Sequence, residues 1–173
     1  RFGNTLQLFV PMYLSNVCYN TCTYCDFSIT NKTKRHTLTD DQILKEGQLL
    51  KEKGFQHILL LTGEAPGTVD AAYIENAITI LKPLFPSIGI EVQPLTTTEY
   101  LSMNQAGAES LTMYQETYHE PTYKTVHLTG KKKNFTHRLN TPDEAGKAKF
   151  FKMNIGFLGG LYDWRYEALS LAM

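Results

Sequence analysis

Short apolar runs alternate with amphipathic stretches along most of the chain, and each pair reads as a strand followed by a helix. Residues 6–14 predict a first strand. Thr39-Asp40-Asp41-Gln42 is a capping box that opens a helix ending near Gly54. Residues 57–61 are a continuous apolar run, as in a strand covered on both sides. Ile74, Ala77, Ile78 and Leu81 share one helical face. A strand is expected over 88–95, and Thr96 with Glu99 caps a short helix that ends at Gly107. Residues 110–115 predict a fourth strand. A polar loop of some twenty residues then follows, a length that on such scaffolds often marks function. Thr141-Pro142-Asp143-Glu144 reads as an N-cap, a first-turn proline and an acid. Residues 153–158 predict a fifth strand and 164–173 the start of another helix.

About five β/α units in succession predict an α/β fold, a partial (β/α) barrel, with an open doubly wound sheet as the alternative. Side-chain alternation favours the barrel. In residues 88–93 the apolar set can face the helices while Glu91 and Gln93 face the lumen, and in residues 111–116 Thr112, Tyr114 and Glu116 point inward. A polar lumen implies a polar ligand. Barrel sites gather at the C-terminal strand ends, and here those ends carry Thr62-Gly63-Glu64, Gln93-Pro94, Gln115-Glu116-Thr117-Tyr118-His119 and Gly159-Gly160-Leu161-Tyr162-Asp163.

A chain of 173 residues suits one domain, here spanning 1–173. Lys plus Arg and Asp plus Glu both number 17, so no bulk attraction to nucleic acid is expected, and the basic runs at 32–35 and 131–133 read as solvated loop charges. No apolar run is long enough to span a bilayer. The first residue is Arg and the chain stops inside a helical stretch, so it is expected to be a piece of a longer protein.

The chemistry concentrates in one loop. Cys18, Cys22 and Cys25 stand as Cys-x-x-x-Cys-x-x-Cys directly after the first strand, and the chain has 3 cysteines in all. An odd, crowded set is a poor disulfide framework and fits a reducing, cytoplasmic setting. Three thiolates at this spacing can hold three irons of a four-iron cluster and leave the fourth open. Structural zinc is the alternative. It requires a fourth ligand, for which Asp26 and His36 are the nearby candidates.

The cysteine run, with Tyr24 before its last member, resembles that of the radical S-adenosylmethionine (SAM) enzymes. Leu14-Ser15-Asn16, Thr62-Gly63-Glu64, Glu91-Val92-Gln93-Pro94-Leu95, Tyr114-Gln115-Glu116-Thr117-Tyr118-His119 and Asp163-Trp164-Arg165 are similar to runs of the tyrosine lyases of thiamine biosynthesis, the 2-iminoacetate synthases. The cysteines identify only the superfamily, whereas Tyr-Gln-Glu-Thr-Tyr-His is narrower and shared with the tyrosine lyases of hydrogenase maturation. The resemblance covers nearly the whole chain and implies a radical SAM barrel core with further sequence on both sides.

The same resemblance implies that Cys18, Cys22 and Cys25 ligate a [4Fe-4S] cluster whose open iron chelates SAM. Reductive cleavage of SAM would then start abstraction of a hydrogen from L-tyrosine, whose Cα–Cβ bond breaks to give dehydroglycine and 4-cresol. Gly63 would let the backbone approach SAM and Glu64 would accept from its ammonium group. Tyr24 and Phe27 would pack beside cluster and adenine, and Gln93 and Gln115 would complete the cofactor contacts. Glu116, Tyr118 and His119 are the candidate catalytic set, with Tyr118 and His119 lining the tyrosine pocket. Arg165 can bind a carboxylate or pair with Asp163 or Glu167, and the pairing is the favoured expectation. His127 and His137 carry no assigned role. A reductant such as flavodoxin or ferredoxin and a thiazole synthase subunit are the implied partners.

Three departures from the family stand out. Asp26 replaces a common glycine, Glu144 replaces a usual arginine that would offer charge to an anionic partner, and Lys149-Phe150-Phe151 replaces a typical Ala-Gly-Ile. The hydrogenase-maturation lyase is the rival enzyme, although its second cluster needs cysteines that this chain lacks. An inactive metal-binding fragment is the non-enzymatic alternative.

Overall fold

Five strands run parallel and pair in chain order, which is the winding of a (β/α) barrel wall. The computed structural model describes residues 3–4 and 7–173. Its elements are β1 (Phe9–Ser15), β2 (Thr21–Cys22), α1 (Asp40–Glu52), β3 (His57–Thr62), α2 (Ala71–Leu81), β4 (Ser87–Glu91), α3 (Thr97–Ala106), β5 (Ala108–Glu116), α4 (Glu120–Val126), β6 (His127–Thr129), α5 (Phe135–Leu139), α6 (Thr141–Lys147), β7 (Lys152–Phe157) and α7 (Trp164–Ala172). The main sheet has the order β1-β3-β4-β5-β7, and β2 and β6 form a separate antiparallel pair. The expected α/β partial barrel is therefore what the chain forms.

Local sequence explains most boundaries. Thr39 and Gln42 exchange side-chain and backbone hydrogen bonds at the start of α1, and Thr96 and Glu99 do the same for α3. Gly107 closes α3 with φ +122, a conformation L side chains rarely adopt. The first strand begins at Phe9; the expected start at Leu6 lies outside the described residues. β4 stops at Glu91 rather than at Leu95. Thr141 is not the cap of α6 but its first residue; Asn140 precedes it, and the Thr141 hydroxyl donates back to the His137 carbonyl at 3.1 Å.

One sheet face makes the core. Met12, Leu14, Ile58, Leu60, Ile88, Ile90, Leu111 and Met113 cluster with Ile43 of α1, the Ile74–Ala77–Ile78–Leu81 stripe of α2, and Tyr100 and Met103 of α3. Each fully buried Ile or Leu contributes about 1.5–3 kcal/mol relative to exposure. The opposite face carries Tyr13, Leu61, Glu91, Tyr114 and Glu116, which line a cleft. Glu91, Tyr114 and Glu116 thus face the cleft as the alternation predicts, whereas Gln93, beyond the end of β4, does not line it.

The twenty-residue polar loop is a correction. Residues 117–140 fold into α4, β6, a short 3-10 turn at Lys131–Lys133 and α5. β6 pairs antiparallel with β2, Cys22 opposite His127, so this clasp grips the cysteine loop. At the far edge, β7 exposes Met153 and Ile155, and Phe151 beside it is 81% exposed. Phe150 instead buries its ring edge-on against Tyr100, with Lys149 turning the chain at φ +64.

Candidate active site

All three cysteines line one cleft of ≈ 550 Å³ at the C-terminal ends of the strands, together with Asn20, Tyr24, Asp26, Phe27, Gly63, Glu64, Glu91, Tyr114, Glu116, Lys132 and Arg138. Two devices place the cysteine loop against β3. The Gly63 N–H donates to the Ser15 carbonyl at 3.0 Å. A Cβ at Gly63 would sit 2.2 Å from the Val17 carbonyl oxygen and 2.9 Å from Cys18 Cβ. Gly63 thus opens room for the loop that carries Cys18, rather than serving only a ligand approach. On the outer side Arg35 threads its guanidinium among four backbone carbonyls, of Asn16 (2.7 Å), Phe27 (3.0 Å), Ser28 (2.6 Å) and Asn31 (3.3 Å). This residue was expected to be a solvated charge; it is instead the brace of the loop.

All three thiols are free, Cys22 buried and Cys18 and Cys25 half-buried. Among the described residues, no three His, Cys, Asp or Glu side chains converge to hold one metal ion. A single zinc would need a fourth ligand beside the three thiolates, whereas a four-iron cluster takes each thiolate on a different iron. His36, one candidate fourth zinc ligand, does not line the cleft, while Asp26 does. Burial pushes the Cys22 thiol up to about 11; Lys132 pulls it partly back, and Cys25, Cys18 and Glu64 push it further up. A bare thiolate is disfavoured there, and a cationic iron centre is what reverses that balance. The donor set fits the cluster.

Charged groups form the rest of the wall. Arg138 Nη1 bonds Glu64 Oε1 at 2.8 Å, Nη2 lies 3.6 Å from Glu116 Oε1, and Nε donates to the Tyr114 carbonyl at 2.7 Å. Lys132 Nζ reaches Glu116 Oε1 at 2.8 Å, and Asn20 Nδ2 donates to Glu64 Oε2 at 2.8 Å. Burial pulls the Arg138 pKa down, but Glu64 and Glu116 more than offset it, and the net shift is upward. Glu91 is raised by burial and then by Glu116, which keeps a protonatable carboxyl in the same cleft. Glu116 sits at φ +72, a strained position for a non-glycine residue, at the irregularity where β5 leaves β7.

Behind the cleft, Tyr24 and His127 face each other, hydroxyl to Nε2 at 2.7 Å. Burial, then Lys132, lowers His127 to about 4, against raising contributions from the Tyr123 carbonyl and Glu116. Burial drives the Tyr24 phenol upward.

The radical SAM superfamily matches residues 12–172. The chain belongs to that superfamily. It is 47% identical to 2-iminoacetate synthase of Escherichia coli strain K12 over 173 residues, 99% of this chain and 46% of that enzyme. Two solved structures share the architecture. The FeFe-hydrogenase maturase HydG from Carboxydothermus hydrogenoformans matches with TM-score 0.94 at 34% identity, over 98% of this chain and 40% of that one. Methylornithine synthase (PylB) matches with TM-score 0.84 at 28% identity, over 99% and 50%. The chain spans about half the length, or less, of these relatives. The superfamily's cofactors are a [4Fe-4S] cluster and SAM.

Within the cleft the expected residues divide. Cys18, Cys22, Cys25, Tyr24, Phe27, Gly63, Glu64 and Glu116 line the cleft. Gln93, Gln115, Tyr118 and His119 are not among its lining residues. Because β4 ends at Glu91, Gln93 turns aside, donates to the Val69 carbonyl at 2.9 Å and faces a neighbouring cavity that shares Asn20 and Glu64 with the cleft. Gln115 lies on the helix-facing side of β5 and donates to the Phe135 carbonyl at 3.2 Å. The Tyr118 N–H donates to Glu167 at 2.7 Å, and His119 stacks on Tyr162 with ring centroids 3.7 Å apart. Glu167 is thereby engaged, and Arg165 lies over the Trp164 ring at 4.7 Å instead of forming the expected ion pair. Glu144 bonds Thr97 and Lys147, tying α6 to α3 away from the cleft.

Sequence reasoning missed Arg138, Lys132, Arg35 and His127. Lys132 and Arg35 were read as members of solvated runs, and Arg138 and His127 fell in the supposed loop. The elements that carry Arg138 and His127 are only five and three residues long, too short to leave a periodic signal in the sequence.

Proposed function

We propose that the chain is the cofactor-holding part of a radical SAM tyrosine lyase of the 2-iminoacetate synthase type, cleaving the Cα–Cβ bond of L-tyrosine to 2-iminoacetate and 4-cresol for thiazole formation. The observation that carries this reading is the 47% identity, over 99% of the chain, to an enzyme of that name. When bound, the cluster and SAM supply hydrogen-atom abstraction. Cys18, Cys22 and Cys25 hold the cluster as thiolates, with Tyr24 and Phe27 beside them.

Glu64, whose two carboxylate oxygens bond Asn20 and Arg138, would accept from the SAM ammonium group. Glu116 is the catalytic-set member that reaches the cleft, held by Lys132 and Arg138. Tyr118 and His119 act from the adjoining wall. Paired charges on fixed elements favour a polar amino-acid substrate while keeping bulk water ordered or excluded. A flavodoxin or ferredoxin reductant, a thiazole synthase subunit and a cytoplasmic setting complete the proposal.

The test is anaerobic incubation of the reconstituted chain, within its full-length protein, with SAM, reductant and tyrosine. 5′-Deoxyadenosine together with 4-cresol is the expected result. Deoxyadenosine without cresol would keep the superfamily and discard the substrate. The HydG likeness, TM-score 0.94 at 34% identity, supports less well a second reading, a hydrogenase-maturation lyase, which carbon monoxide and cyanide among the products would reveal.

A further inference from the structure

We propose that His127 is a positioning residue for the cluster site: it fixes the ring of Tyr24 from behind and, with the same residue's backbone, fixes the strand that carries Cys22. The inference goes beyond the tyrosine reading and requires only that the three cysteines hold the superfamily's cluster.

Three contacts converge on this histidine. Its side chain is fully buried, and Nδ1 lies 3.0 Å from the Tyr123 carbonyl oxygen. A carbonyl only accepts, so Nδ1 carries the ring proton and Nε2 is left as a bare acceptor. The Tyr24 hydroxyl, 2.7 Å away, therefore donates to Nε2. The imidazole is held in orientation by Tyr123, whose ring centroid is 3.9 Å distant, and it meets Tyr24 edge-on at 86°.

The backbone completes the grip. His127 is the strand partner of Cys22, and the Thr23 N–H donates to the Val126 carbonyl at 3.0 Å. One short clasp thus sets both the backbone at the second cysteine and the side chain just before the third. Tyr24 lines the cleft beside the cysteines. With its hydroxyl anchored, the ring keeps one rotamer and walls that side of the cleft. Released, it swings and admits water. Iron–sulfur potentials respond to solvent exposure, and partners that orient a metal site commonly change its affinity about 10–100-fold.

Two measurements test this. On the metal-free full chain, nitrogen-15 NMR of His127 should show a neutral ring protonated at Nδ1, with the Nε2 resonance moved by Tyr24→Phe. On the anaerobically reconstituted protein, Tyr24→Phe and His127→Leu should each release iron to a chelator about tenfold faster than wild type. Both should move the cluster potential upward, because entering water stabilises the more negative reduced state. The double variant should be no worse than either single one, and His127→Gln, which keeps an acceptor near Nε2, should restore most of the wild-type behaviour.

A folded Tyr24→Phe protein with wild-type iron release and potential overturns the proposal, as does an Nε2-protonated ring. If wild type itself takes up no cluster, the cysteine assignment fails instead, and the NMR result still decides the His127–Tyr24 contact.

Discussion

The helix-backed face of the sheet and the cysteine loop with its clasp are held together by different forces. On the first, Leu14, Ile58, Leu60, Ile74, Ile78, Leu81, Ile88 and Ile90 are at most 2% exposed, and the contacts are almost wholly apolar. On the second, the chain from Cys18 to Cys25 buries few apolar groups. Its geometry comes from Arg35 on four carbonyls, Asn20 between Glu64 and the Lys132 N–H, and Tyr24 on His127. Burial is non-directional and tolerates small shifts, whereas hydrogen bonds specify angles. The molecule uses the former for stability and the latter to aim the thiols. The two should be separable by mutation.

The largest effect is expected where polar design is most deeply buried. Arg138→Met leaves Glu64 and Glu116 without their shared cation and should cost about 3–5 kcal/mol in urea unfolding. Replacing Glu64 and Glu116 by glutamine in the same chain should recover much of that loss. On the apolar side, Leu60→Ala should cost about 2–5 kcal/mol through lost burial and a cavity. The protein that remains folded should still take up iron as wild type does, and reduced cluster content per folded chain would show that the two regions are coupled.

The pH response comes next. His127 drops from 6.5 to about 4 in the folded state. As pH falls the unfolded chain takes this proton first. The contribution is therefore complete above about pH 6.5 and lost by about pH 4, roughly 3 kcal/mol at ~1.4 kcal/mol per pKa unit. Glu91 runs the other way, since burial raises its pKa and its contribution fades as pH rises. In the metal-free protein His127→Leu should flatten the stability profile between pH 4 and 6.5, and an unchanged slope would remove His127 as its source. The smallest effect is at Arg35: Arg35→Lys keeps the charge but not the fork and should cost about 1–2 kcal/mol. Its clearer sign should be faster chelation of iron, with the unfolding midpoint little moved.

The same division explains what could be read in advance. Periodicity and capping boxes report burial and local hydrogen bonding, so the five strands, α1 to α3 and the inward set Thr112, Tyr114 and Glu116 were legible. The cysteine spacing named the superfamily. The clasp was not legible, because β6 has 3 residues and α5 has 5, too short for periodicity to register, and their stability comes from pairing with the cysteine loop. Arg138 lies 74 positions from Glu64, and such a bridge has no local signature. Gln93 was misplaced because alternation holds only while a strand lasts, and β4 ends at Glu91; Gln115 lies within β5, where the same alternation that turns Tyr114 and Glu116 inward turns it toward the helices.

Iron and labile-sulfide analysis with Mössbauer spectroscopy on anaerobically reconstituted protein tests the central assignment most directly. Three thiolates on a four-iron cluster predict about four irons and four sulfides per chain, with one iron distinct from the others and perturbed by added SAM. Stoichiometric zinc without labile sulfide, or four equivalent irons indifferent to SAM, would contradict it.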